Sequence, residues 1–297
     1  MLLLICLAHP PGSTQQNTGA VRPEAIDIAV PPFPPRLPWL GKEPPPVDRI
    51  CASGPLLVHF VDAAHLSSVR TIPYLNAWHE RYSQRGLTVL GVNSPRFPFT
   101  GDEAKLAAAL TRLGVEFPVG IDAEYRAWHD YGCEGWPSLF LWGKGGALRW
   151  FHFGEGEYTA TEAAIQEELL AVSPGLDLPQ PLAPLRPSDA PDALVARPTD
   201  EVIPGDSTAQ PWRATGPDDL LKVDYLAGGA WASVDGEGML CVSLDGGPPR
   251  TIPVEAPGAY ELTAHDRHES HQLSLTASSA IGIYAVAFAA GVPRATA

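Results

Sequence analysis

A chain of 297 residues, 45% hydrophobic and 8% aromatic, has the apolar side chains for one large packed domain or two ordinary ones, which excludes global disorder. Its formal charge of −14, with no run of Lys or Arg to offset it, excludes a nucleic-acid or anionic-membrane surface. The four cysteines, Cys6, Cys51, Cys133 and Cys241, form no Cys-x-x-Cys and no zinc-like cluster, so their spacing supports neither a vicinal redox pair nor a cysteine metal site.

The chain begins "MLLLICLAHP", a hydrophobic stretch without a basic flank and too short to span a bilayer. It reads as a weak or truncated export signal, or as a start inside a longer gene; taken literally the chain is soluble, with no membrane association evident. Eleven of the 32 prolines fall before residue 55, which makes residues 1–49 an extended arm without a core of its own. Residues 50–172 alternate strand and helix signals, the pattern of an α/β sheet. "PLLVHFV" is a central strand buried on both faces, followed by a helix from Leu66 to Arg85 that contains Pro73. "LTVLGV" is the next buried strand, and "GDEAKLAAALTRLG" is a helix closed by Gly114. "FPVGID" leads to a short helix, "AEYRAWHDYG", and "PSLFLWGKGGALRWFHFG" to a hairpin turning at Gly143–Gly146. "TATEAAIQEELL" is a closing helix with Thr159 or Thr161 as cap.

Nine further prolines between residues 172 and 215 mark a linker, placed at 173–195. Residues 196–297 then change period. "GGAWASVDGEGMLCVSLDGGPPRTIPV", "GAYELTAH", "HQLSLTA" and "IGIYAVAFAAG" are short strands separated by Gly, Asp and Pro, the pattern of a mainly antiparallel β-sandwich domain.

In this order and spacing, "RTIPYLNAWHERY", "GLTVLGVNSPRF", "YGCEGWPSLFL" and "FHFGEGEY" make residues 55–170 resemble the TlpA/DipZ-type thioredoxin-like (redoxin) family. "VDG", "TIPV", "YEL" and "YAVAF" make the tail similar to the sandwich that follows thioredoxin in DipZ-like proteins. The resemblance implies a redox Cys-x-x-Cys where strand meets helix, but the four positions here read His65-Leu66-Ser67-Ser68. It also implies that Trp136-Pro137 is the family's cis-proline, whose backbone pairs with a bound peptide, and that the protein works outside the cytoplasmic membrane.

The residues at this junction carry little obvious chemistry. A thiolate gains from the helix N-terminus; an imidazolium loses there, and a serine hydroxyl is too weakly acidic to ionise. Asp62, His65 and Ser68 have the residue types of a hydrolytic triad, yet Ser67 and Ser68 read more simply as N-cap residues. Cys133, four residues before Pro137, is the candidate thiol for one-cysteine chemistry, with Cys51 as a partner; a structural, half-buried thiol is the plainer reading. His265, His268 and His271 in "HDRHESH" are candidate metal ligands, but the segment reads as a solvated loop or β-edge, so neither metal nor cofactor is expected. Trp128, Trp136, Trp142, Trp150, Phe151 and Phe153 are core candidates. Trp212, Tyr225, Trp231 and Tyr260 are core as well, or alternatively a stacking surface for a glycan.

The expected function is a redox-inactive thioredoxin-like protein without dithiol activity, binding a protein or peptide at the cis-proline groove through Trp136 and Pro137. The alternative is a thiol oxidoreductase or peroxidase-like activity at Cys133.

Overall fold

The computed structural model describes residues 28–216 and 218–293, so "MLLLICLAHP" and Cys6 lie outside the described residues. The first domain runs β1 (Trp39–Leu40), α1 (Val47–Ser53), β2 (Leu56–Val61), α2 (Leu66–Tyr82), β3 (Thr88–Asn93), α3 (Glu103–Arg112), β4 (Val119–Ile121), α4 (Arg126–Tyr131), β5 (Ser138–Trp142), β6 (Leu148–Phe153) and α5 (Tyr158–Val172). Its strands lie in the order β1-β4-β3-β2-β5-β6, with β2, β3 and β4 parallel and the others joining antiparallel.

Every residue of β2 is buried because helices cover both faces. Leu57 points into a core with Tyr74, Leu75 and Trp78 of α2, Leu106 of α3 and Ile165 of α5. Leu56, Val58 and Phe60 point the other way, toward Val47 and Ile50 of α1 and Trp128 of α4. Ile28, Val30, Phe33 and Trp39 of the proline-rich arm pack against this second core.

Helix ends depart from the sequence reading where backbone geometry outweighs composition. α2 stops at Tyr82 and the chain tightens into a 3₁₀ turn, Ser83–Arg85, before Gly86 takes the left-handed φ of 107° that ends it. Neither Thr159 nor Thr161 caps α5. Glu157, at φ 53°, precedes the first helical residue, Tyr158, and the Thr161 hydroxyl instead accepts the buried Trp150 indole N–H at 3.1 Å. α3 has a true side-chain cap, Asp102 Oδ1 accepting from the Lys105 N–H at 3.0 Å. Asp102→Ala is therefore expected to cost about 1 kcal/mol in urea unfolding, against no change for Asp102→Ser.

Residues 173–195 lie along the first domain. Leu176, Leu178 and Leu182 pack on its core, Leu182 N–H donates to Glu162 Oε2 at 2.8 Å, and Tyr74 donates its hydroxyl to the buried Asp189 at 2.8 Å.

The second domain contains β7 (Leu221–Asp235), β8 (Gly238–Leu244), β9 (Arg250–Val254), β10 (Gly258–Ala277) and β11 (Gly282–Ala289), all antiparallel, in the order β11-β7-β10-β8-β9. β7 and β10 are too long for one flat layer. Their register jumps between the pairs Ala264–Gly229 and Glu269–Ala227, so four residues of β10 bulge against one of β7. The sheet folds back there: Tyr225, Val242 and Leu273 from one half share a core with Val234, Leu262 and Ile283 from the other. That is the β-sandwich packing, made from one bent sheet.

The two domains meet across the start of α2. Ser233 donates its hydroxyl to the Ala64 carbonyl at 2.6 Å, and Lys105 pairs with Asp235 at 2.8 Å. Phe97 and Phe99 pack on Tyr284 and Ala285, while Leu66 packs on Ala287 and Ala289.

Candidate functional site

β2 ends at Val61, the chain turns through Asp62–Ala64, and α2 starts at Leu66 with His65 in the N-cap position. This overturns Ser67 and Ser68 as caps: they lie inside the first turn, and His65 makes no side-chain cap bond. The Ser68 hydroxyl, fully buried, accepts the Asp62 N–H at 3.3 Å, and the Ser67 carbonyl accepts the Thr71 hydroxyl at 2.8 Å.

The Asp62 carboxylate points away from both. It accepts the Ala64 N–H at 2.7 Å, the Arg96 N–H at 2.6 Å and the Thr100 hydroxyl at 2.6 Å. Burial raises its carboxyl above the ordinary value, and these donors only partly oppose that. Among the described residues no hydrogen bond joins the His65 ring to Asp62 or Ser68, and its Nδ1 is buried without a partner. The three residues therefore assemble no triad. Burial, reinforced by the Arg96 charge, pushes the His65 imidazole down to about 4, so it is neutral at pH 7.

Facing His65 is Trp136, 6.1 Å away between ring centroids, joined to Pro137 by a cis peptide bond. The Trp136 indole N–H donates to the Ser94 carbonyl at 2.9 Å, and the ring lies against Trp128 at 4.6 Å, so its orientation is fixed. A cleft of about 610 Å³ opens here between the domains, with His65, Leu66, Arg96, Trp136, Glu201 and Phe288 in its wall. Arg96 closes one side in a forked ion pair with Glu201, Nη1 to Oε1 at 2.7 Å. Sequence reading gave β11 as a strand but assigned neither it nor Arg96 and Glu201 to the wall of a cleft. One signal was available: "GIYAVAFA" is a continuous apolar run, and every residue of β11 is buried.

Cys133 is half-buried among aromatic side chains, and burial pushes its thiol well above the ordinary range. Cys51 is buried and raised for the same reason, then by Asp48. Both are free thiols, as is Cys241. A scarce thiolate makes a poor nucleophile.

The histidine segment is no loop: it lies inside β10. A run of polar residues without alternation hid the strand, which keeps its pairing on either side of the bulge. His265 and His271 stack at 4.2 Å with Glu269 beside them, whereas His268 stands apart, its backbone N–H donating to the Val292 carbonyl. Tyr225 and Tyr260 are buried, Tyr225 against Phe288 and Tyr260 under the Arg112 guanidinium, so neither ring can stack on a glycan. Trp212 and Trp231 are partly buried.

No family model matches the chain. Protein DipZ of Mycobacterium tuberculosis is 27% identical over 279 residues, covering 82% of this chain, which spans 40% of that protein's length. Thiol-disulfide oxidoreductase ResA of Geobacillus thermodenitrificans is 29% identical over 107 residues, 35% of this chain and 55% of ResA. A solved structure described as a thiol:disulfide interchange protein DsbE from Chlorobium tepidum covers 48% of this chain and 95% of its own, at 23% identity and a TM-score of 0.41.

Proposed function

We propose, since the chain is homologous to DipZ and to the thiol-disulfide oxidoreductase ResA, that it is a thioredoxin-like protein without dithiol chemistry that binds extended polypeptide in the cleft beside Trp136. We place it outside the cytoplasmic membrane, as the family resemblance implies; among the described residues no helix is long and apolar enough to cross a membrane.

The observation that carries the reading is the wall of the cleft. Where the family resemblance puts the redox pair stand a neutral, partly buried imidazole and a hydroxyl held by the Asp62 N–H. Neither can accept and return electrons. What the wall offers instead is shape and polarity: a fixed indole, the Leu66 side chain and the Arg96–Glu201 pair. The raised Cys133 thiol counts against the one-cysteine alternative.

The test uses the full chain and an unfolded polypeptide with its cysteines blocked by carboxymethylation, so that no disulfide can form. Binding followed by fluorescence anisotropy is expected to weaken about 10-fold or more in Trp136→Ala, the loss of a buried aromatic anchor. Insulin reduction by the parent chain is expected to match the buffer. Binding indifferent to Trp136→Ala would remove the cleft from the proposal, and insulin reduction by the parent chain above the buffer rate, lost in Cys133→Ser, would end the redox-inactive reading in favour of Cys133.

A further inference from the structure

We propose that His265, Glu269 and His271 form a binding site for a divalent first-row metal of the zinc class. Three geometric facts meet at this point. Alternation along β10 puts Glu269 and His271 on one face, and the bulge between Ala264 and Glu269 returns His265 to the same face. One ligand atom from each of the three lies within 4.8 Å of the other two. A tetrahedral ion with bonds near 2.0–2.1 Å needs roughly 3.3 Å between ligand atoms, so side-chain rotations alone close the site.

The surrounding hydrogen bonds orient both rings as metal ligands require. Asp245 Oδ2 lies 2.7 Å from His271 Nδ1, which places the ring proton there and leaves Nε2 as the lone pair. That Nε2 is buried, makes no hydrogen bond among the described residues, and lies 3.5 Å from Glu269 Oε2. A lone pair facing a carboxylate needs either a proton or a cation between them. The Tyr225 hydroxyl lies 2.7 Å from His265 Nε2 and 2.9 Å from the Thr263 hydroxyl; with Tyr225 donating to Thr263 and accepting from His265 Nε2–H, the lone pair for the ion sits on His265 Nδ1. Two imidazoles and one carboxylate suit zinc better than the hard, oxygen-seeking calcium or magnesium. The fourth position falls to water or a ligand oxygen, for which an adjoining cavity of about 340 Å³, with His265 and Thr263 in its wall, has room.

The experiment uses the tag-free full chain, stripped with chelator. Calorimetric titration with zinc is expected to give one equivalent bound, and cobalt(II) is expected to give the visible bands of a four-coordinate ion. His271→Ala and His265→Ala should abolish both signals, Asp245→Asn should weaken binding about 10–100-fold, and His268→Ala should leave it unchanged. Metal-free thermal melts of each variant, matched to the parent, show that the fold survives. No heat and no cobalt band in the parent chain would overturn the proposal, because a simple His271–Glu269 proton bridge predicts that result. Binding retained in His271→Ala, or lost equally in His268→Ala, would overturn it too.

Discussion

The double variant His65→Cys/Ser68→Cys is expected to close an intramolecular disulfide on mild oxidation and to reduce insulin measurably, against an expected buffer rate for the parent chain. His65 occupies the N-cap and Ser68 the third helical position of α2, two sites whose side chains fold toward each other at a helix start. A thiolate at residue 65 would gain from the helix N-terminus and from Arg96, whose charge already opposes protonation of His65. Residue 65 lines the cleft while residue 68 is fully buried, which fixes the order of events: the thiol introduced at position 65 attacks, and the one at position 68 resolves. Mass spectrometry reads the loss of two hydrogens, and neither single variant should show it. A double variant that folds, as judged by circular dichroism, yet stays reduced would mean that the two positions do not face each other.

Lowering the pH from 7 to 5 is expected to remove about 4 kcal/mol of unfolding free energy, about 2 kcal/mol from each of two histidines. Burial pushes His59 down to about 3 and His65 to about 4. In the unfolded chain both titrate near 6.5, so between 6.5 and the folded values only the unfolded state takes up protons. The stability is present above pH 6.5 and is lost as pH falls toward 4. His152, also lowered by burial, adds in the same direction. Asp62 works the other way: its raised carboxyl is protonated more readily in the fold, which favours the folded state as the carboxylate range is approached. Urea unfolding of His65→Gln beside the parent isolates one group, and the variant should lose about half as much on acidification. A variant as acid-sensitive as the parent would show that the His65 ring is solvated.

The thioredoxin-like fold was legible because its central strands are buried on both faces and therefore carry continuous apolar runs, as in Leu56–Val61. The strand-to-helix junction at residues 62–65 was legible because strand and helix signals bracket it closely. What lay beyond reach was the relation between the domains. The pairs Arg96–Glu201 and Lys105–Asp235 join residues more than a hundred positions apart, and no local period encodes them. Local chemistry misled at the helix starts, since Ser68 and Thr161 spend their hydroxyls on tertiary partners, the Asp62 N–H and the Trp150 indole. It misled again at "HDRHESH", where the bulge, invisible in composition, brings together two of the three histidines and recruits Glu269.

The packing of Leu66 on Ala287 and Ala289 has a thermodynamic corollary. Any guest that needs the Leu66 side of the junction competes with a stretch of the same molecule, tethered and so present at high effective concentration. Its measured affinity equals the intrinsic one scaled by the fraction of time the two halves stand apart. Loosening that contact, for instance with Ala287→Asp, should tighten capture of such a guest while weakening the lone protein.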